Sequence, residues 1–315
     1  MSGHFLKHAI KGCSFFRGLN GRSQQLTPHR FQAFSSSMST EAENLVETEK
    51  IGKVFLIGIN RPEKRNCVNT PTAEVLYEKF QEFDSNEDLL VAVLYGKGGN
   101  FCAGFDLKQL SESGLDGKDV PNLVPWEETN KGPMGPSRML CSKPVIAAVA
   151  GYAVAGGLEL SLMCDMRIAE ESAIFGVFCR RFGVPLVDGG TVRLPKLIGL
   201  SRAMDMILTG RPVPAKEAYE MGLANAVCPN GTAVGEAVKL AQRLCNFPQR
   251  CMNADRRSAY YSAFAADSME DAFKYEWENG IGVVQQESVP GAKSFVGGVG
   301  KSGSFVLDKP YKSKL

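Results

Sequence analysis

The sequence predicts an α/β fold closed by a helical C-terminal region, and two observations carry that reading. Between residues 51 and 169, short β-rich runs alternate with helical stretches in one direction, the order of strands wrapped by helices. From Ser201 onward the apolar spacing is helical almost throughout. A boundary near residue 230 separates a core over 41–230 from a helical region over 231–315, with residues 1–40 set apart as a leader.

The elements follow in order. Ile51–Asn60, IGKVFLIGIN, reads as a strand ended by Arg61-Pro62. Over Thr70–Phe83, residues Ala73, Leu76, Tyr77, Phe80 and Phe83 recur at helical spacing, with Thr70-Pro71 as cap and first-turn proline. Leu90–Tyr95 is a second β run entering a turn at Gly96–Asn100. Residues 111–138, rich in Gly, Pro and polar residues, read as loop with a helical stretch. Lys143–Ala150, KPVIAAVA, is a buried-type strand, and a glycine turn over Gly151–Gly157 leads into a helix at Leu158–Cys164. Asp165–Ala169 is a further short strand, and helices follow at 201–209, 214–221, 233–246 and 267–285. No internal repeat is visible.

Composition excludes several chemistries. All three histidines, His4, His8 and His29, lie in the leader, so the body offers no histidine for a Ser-His-Asp or Cys-His nucleophile or a metal site. Nine cysteines are scattered without a CxxC pair, the pattern of free thiols in a reducing compartment. Residues 1–40 carry five Lys or Arg and no acid, whereas the remaining 31 basic residues face 34 acidic ones. That mildly acidic body argues against nucleic-acid binding. No apolar run approaches the ~18–20 residues of a membrane span.

Both termini read as addresses for import receptors. The acid-free leader, with Phe5, Phe15, Phe16, Phe31 and Phe34 among its basic residues, matches a mitochondrial transit peptide. Ser313-Lys314-Leu315 matches the peroxisomal tripeptide, and initiation at Met38 removes the leader while keeping that tripeptide. Dual targeting to mitochondrion and peroxisome reconciles the two.

Three segments carry the candidate chemistry: Gly99–Leu110 (GNFCAGFDLKQL), Gly151–Asp165 (GYAVAGGLELSLMCD) and Phe182–Gly199 (FGVPLVDGGTVRLPKLIG). The first two are glycine turns that leave a strand and enter a helix, where backbone N–H groups lack a helical acceptor. Two such groups converging on one point bind a developing oxyanion without any side chain. In this order, and with NRPEKRN at Asn60–Asn66 and LTGRPVPAKEAYEMGLAN at Leu208–Asn225, the chain resembles the crotonase (enoyl-CoA hydratase/isomerase) superfamily over residues 48–285.

The resemblance implies a crotonase-like spiral of ββα units with a helical C-terminal trimerisation region. It implies homotrimers or hexamers, an acyl-CoA substrate and no cofactor beyond that CoA. By position it assigns the oxyanion amides to Phe105 and Gly156, and CoA contacts to Lys64, Arg65, Asp106 and Leu107. Lys64 and Arg65 also fit a solvated turn. Glu159 stands where the family's hydratases place a catalytic glutamate; a helix N-terminal charge is its plainer reading. The second hydratase glutamate falls on Cys179, which breaks the two-glutamate pattern. Asp188 lies where isomerases and dehalogenases of the superfamily place a working aspartate, and it also suits an N-cap. Arg180 and Arg181 face an acidic acyl substituent, a subunit contact or solvent.

These expectations converge on an enoyl-CoA hydratase-like enzyme that stabilises a thioester enolate, with Glu159 and Asp188 moving protons. Enoyl-CoA isomerisation is the alternative within the family, and a catalytically silent acyl-CoA-binding protein the alternative outside it. RNA binding on the same fold is disfavoured, because the 70–90 helix has Lys79 alone against Glu74, Glu78, Glu82, Asp84, Glu87 and Asp88.

Overall fold

The computed structural model describes residues 45–112 and 130–300. The expected leader and the terminal tripeptide lie outside the described residues, as does most of the expected 111–138 loop. Chain order is β1 (Val46–Ile51), β2 (Val54–Ile59), α1 (Thr70–Ser85), β3 (Val91–Gly96), α2 (Leu107–Ser111), β4 (Val145–Val149), β5 (Tyr152–Val154) and α3 (Gly156–Met163). There follow β6 (Met166–Glu170), β7 (Ile174–Gly176), α4 (Gly190–Ile198), α5 (Leu200–Thr209), β8 (Val213–Pro214), α6 (Ala215–Glu220) and β9 (Ala226–Cys228). The helices α7 (Ala233–Leu244), α8 (Gln249–Phe264), α9 (Met269–Val283) and α10 (Val289–Val296) close the described chain.

One sheet runs β1-β2-β3-β4-β6-β9, parallel except for the β1–β2 hairpin. A smaller sheet runs β5-β7-β8. Each turn of the chain adds one strand to each sheet and then a helix: β4, β5 and α3 form one unit, and β6 and β7 begin the next. Ahead of them, β3 is followed by Cys102, which bridges to Ala153 of β5, and then by α2. This is the expected spiral of ββα units.

The central strands are buried on both faces, which explains their unbroken apolar runs. Phe55, Ile57 and Ile59 of β2 face a cluster under α1 and α3, while Val54 and Leu56 face a second cluster closed by Ala233, Ala237 and Ala241 of α7. Helix α8 is anchored to the core by Asp165, whose Oδ1 accepts from Arg256 Nε at 2.7 Å and from the Tyr260 hydroxyl at 2.9 Å.

Three expected elements change. The Ile51–Asn60 run is two strands, because Gly52 adopts φ +59° and pairs Ile51 with Val54 across a hairpin. The cap of α1 is Asn69, whose Oδ1 accepts from Thr72 N at 3.2 Å, and Thr70 is the first helical residue. The Gly151–Gly157 turn contains strand β5, three residues too short to show periodicity, and α3 begins at Gly156. Among the described residues, no helix is long and apolar enough to cross a membrane.

Candidate active site

The site forms where the first ββα units meet. Arg61 opens the Asn60–Asn66 loop and holds it down, donating from Nη1 to Cys67 O at 2.5 Å and from Nη2 to Asp106 Oδ2 at 3.0 Å. Buried Asn66 completes the clamp, with Nδ2 donating to Lys97 O at 2.8 Å and to Asn100 O at 2.6 Å. The loop thereby lays Val68 beside Phe105: Val68 N donates to Gly104 O and Asp106 N to Val68 O, both at 2.9 Å. In such a parallel bridge the intervening residue turns its own N–H to the opposite side. The Phe105 N–H therefore faces away from Val68.

Gly156 is the first residue of α3, so its N–H has no acceptor one turn back. Ala155 before it holds φ +53° and ψ −127°, a conformation rare for a residue with a Cβ, and this sets the direction of the Gly156 amide. The two amides are neighbours, because a Cβ placed on Gly104 would lie 3.2 Å from Gly156 N. Neither N–H donates to a backbone acceptor among the described residues.

Phe105 and Gly156 line one cavity of about 430 Å³, and so do Glu159, Cys179 and Asp188. The rest of the described lining is mostly apolar, including Leu107, Leu110, Phe178, Phe182, Val184 and Val187. The two carboxylates are 2% and 4% exposed. Glu159 Oε1 accepts from Asp188 N at 2.9 Å and from Gly190 N at 2.8 Å. Asp188 Oδ1 accepts from Met134 N at 3.0 Å and from the Ser137 hydroxyl. Each carboxylate thus keeps one oxygen without a protein hydrogen bond among the described residues.

Burial pushes Glu159 up to about 8, the nearby Asp188 charge adds to the rise, and the two N–H bonds and Arg193 offset part of it. Burial also raises Asp188, against the Ser137 and Met134 hydrogen bonds and the charges of Arg138 and Arg193. A carboxyl that titrates near neutrality is suited to taking and returning protons.

The other candidate residues are placed differently. Asp106 caps α2 through Lys108 N at 3.1 Å and pairs with Arg61, and it is not in the cavity lining. Lys64 and Arg65 are exposed beside it, with the Arg65 guanidinium 5.5 Å from the Tyr152 ring centre. Leu107 does line the cavity. Asp188 is not an N-cap: Gly189, with φ +95°, precedes α4. Arg180 and Arg181 serve the C-terminal end of α5, donating to Ile207 O at 3.2 Å and Gly210 O at 3.0 Å, and neither lines the cavity. Met134, Ser137 and Arg193 are the residues the motifs missed. The first two lie in a segment legible only as loop, and Arg193, although within the Phe182–Gly199 segment, acts through the distant Ser137 O, to which its Nη1 donates at 2.6 Å.

The model of the enoyl-CoA hydratase/isomerase family matches residues 49–295. The chain belongs to that family. The enoyl-CoA hydratase EchA19 of Mycobacterium tuberculosis is 32% identical over 255 residues, 78% of this chain and 91% of the relative. The mitochondrial enoyl-CoA hydratase of Pongo abelii is 32% identical over 251 residues, covering 78% and 80%. A crystal structure of a Mycobacterium tuberculosis enoyl-CoA hydratase superposes with a TM-score of 0.73 at 32% identity, covering 81% of this chain and 96% of that one. The crotonase fold expected from the motifs is therefore present, and the chain is a hydratase-like enzyme of acyl-CoA thioesters. Among the described residues, no three His, Cys, Asp or Glu side chains gather as a metal site.

Proposed function

We propose that this enzyme adds water to a 2-enoyl-CoA, with the thioester oxygen bound between the N–H groups of Phe105 and Gly156. The observation that carries the proposal is the meeting of two acceptor-less amides and two buried carboxylates, each with a free oxygen, on one largely apolar cavity. The free oxygen of Glu159 takes a proton from water as the water oxygen bonds to Cβ. The π electrons move to the thioester oxygen, and the resulting enolate is held by the two amides. Loss of one such donor costs roughly 3–4 kcal/mol in a comparable site. The enolate then collapses and takes a proton at Cα from Asp188, which carries the one proton that the two buried carboxyls hold between them when Glu159 acts as base. Proton return from Glu159 to Asp188 through water resets the site, and the net change is addition of H and OH.

Cys179 occupies the position of the family's second glutamate, and Asp188 supplies from α4's leading turn the carboxyl that Cys179 does not. Lys64 and Arg65 are exposed on the Asn60–Asn66 loop, Asp106 pairs with Arg61 of that loop, and Leu107 beside it lines the cavity, which supports a CoA path over that surface. Exposed Phe273, Trp277 and Ile281 recur every four residues along α9, Trp277 at 68% exposure, and support burial against further copies in a homotrimer. The basic leader and Ser313-Lys314-Leu315 support import into mitochondria and peroxisomes; imaging the full form and the form begun at Met38, each with a free C-terminus, tests both.

A panel of enoyl-CoAs incubated in heavy-oxygen water and read by mass spectrometry tests the reaction. Hydration gives products heavier by one labelled water. Products of unchanged mass indicate isomerisation, and free CoA indicates hydrolysis; either result overturns the proposal.

A further inference from the structure

The peptide unit joining Val187 to Asp188 is hydrogen-bonded at both ends. Its N–H donates to Glu159 Oε1 at 2.9 Å. Its carbonyl accepts twice from one guanidinium, from Arg138 Nε at 3.1 Å and Nη2 at 2.9 Å. A cation, an amide and a carboxylate therefore stand in series. Arg138 is outside the catalytic cavity: it lines a second cavity of about 600 Å³, and Val187 lines both. The turn is the wall between the two. A cation on the carbonyl draws electron density through the amide and makes its N–H a stronger donor; the Arg138 end of the series is exposed to solvent, and the Glu159 end is buried.

We propose that Arg138 is a positioning residue for Glu159, acting across this wall through the Val187–Asp188 peptide to hold the N–H on Oε1 and to favour the ionised carboxylate. The geometry gives Arg138 a route to Glu159 that a surface arginine lacks. Other groups face Glu159 as well. Asp188 opposes its ionisation and Arg193 favours it, while burial keeps the neighbouring Cys179 thiol neutral. Around the same turn, Ser137 and Arg193 face Asp188, and Tyr260 faces Arg193. None of these bonds to the Val187 carbonyl, so among them only Arg138 acts through that peptide, although its charge also acts directly on Asp188. Only the kinetic part of the test rests on Glu159 being a proton-transfer group.

The test is a titration of the Glu159 carboxyl by carbon-13 NMR in protein labelled at its glutamates, the resonance assigned by its loss in Glu159→Gln. Wild type is compared with Arg138→Met, Arg138→Gln and Arg138→Lys. The midpoint is expected to rise by about half a unit to one unit in the Met and Gln variants, less than the 1–3 units of a directly paired charge. Lysine is expected to reverse at least half of the rise. Glutamine keeps a donor for Val187 O without the charge, so it carries the test if the Met variant does not fold. In parallel, the acid limb of kcat against pH should move with the midpoint, lowering turnover several-fold at pH 7 and little at pH 9, with KM near wild type. An unmoved midpoint in the uncharged variants overturns the proposal, whatever kcat does. A moved midpoint with an unmoved kcat limb upholds the relay and instead removes Glu159 from proton transfer.

Discussion

Replacing Glu159 by glutamine changes one terminal atom of a buried carboxyl and leaves an oxygen to accept from Asp188 N and Gly190 N. The fold should therefore be kept while the ionisable oxygen is lost. The carboxyl is raised from its ordinary 4.5 to about 8. A raised carboxyl binds its proton more tightly in the folded state. Its contribution to stability is fully present below 4.5 and is lost as pH climbs toward 8. At 1.36 kcal/mol per unit, the whole loss is about 5 kcal/mol, of which about 3 kcal/mol falls between pH 6 and pH 9. Glutamine has no such dependence. Urea unfolding of both proteins at pH 6, 7.5 and 9 reads the difference directly. The variant should gain about 3 kcal/mol on wild type across that range, and its turnover should fall about 100-fold or more. Parallel pH dependences in the two proteins would refute the reasoning, because Glu159 would then not be a buried carboxyl with a raised pKa. Full turnover in the variant would remove it from the mechanism.

Asp188→Asn keeps an acceptor for Met134 N and Ser137, so acyl-CoA affinity should change little while turnover falls about 100-fold; unchanged turnover would leave Asp188 as a clasp for the 132–138 segment. Gly157→Ala places a Cβ 2.0 Å from Cys102 O, and backbone on that side cannot turn away. Thermal unfolding should show a loss of about 1–3 kcal/mol or more, and an unchanged melting temperature would contradict the packing of α3 on Cys102. Ala155→Gly relieves the strain at φ +53° and should raise the melting temperature by about 2–4 °C. The same change loosens the Gly156 amide, so kcat should fall while KM holds, and a kcat equal to wild type would detach that strain from catalysis.

Much of the fold was legible because burial writes itself into composition. The runs at Phe55–Ile59 and Val145–Val149 are apolar on both faces because α1 and α3 cover one side of the sheet and α7 the other. Strand β1 left no such trace: VETEKI is mostly exposed and pairs on one edge alone, so nothing apolar alternates along it. Strands β5 and β7, three residues each, are too short for a period of two to register.

The site divides in the same way. The family resemblance carried by the glycine motifs points to Phe105 and Gly156, and positive φ at Gly104 and close backbone approach at Gly157 are the physical reason those motifs hold small residues. Glu159 was marked by its place in the AGGLEL helix, and the absence of histidine from the body left carboxylates to carry the protons. What the sequence by itself determined was therefore the family and its class of chemistry, with Phe105 and Gly156 as the candidate amides. Tertiary structure alone decided that Asp188 is a buried partner of Ser137 and Met134 rather than a helix cap. It alone decided that Asp106 is spent on Arg61 and α2, and that Arg138 reaches Glu159 through a peptide bond. Each of those facts depends on which distant segments share a wall. That is set by how the ββα units stack, and no local propensity along the chain encodes it.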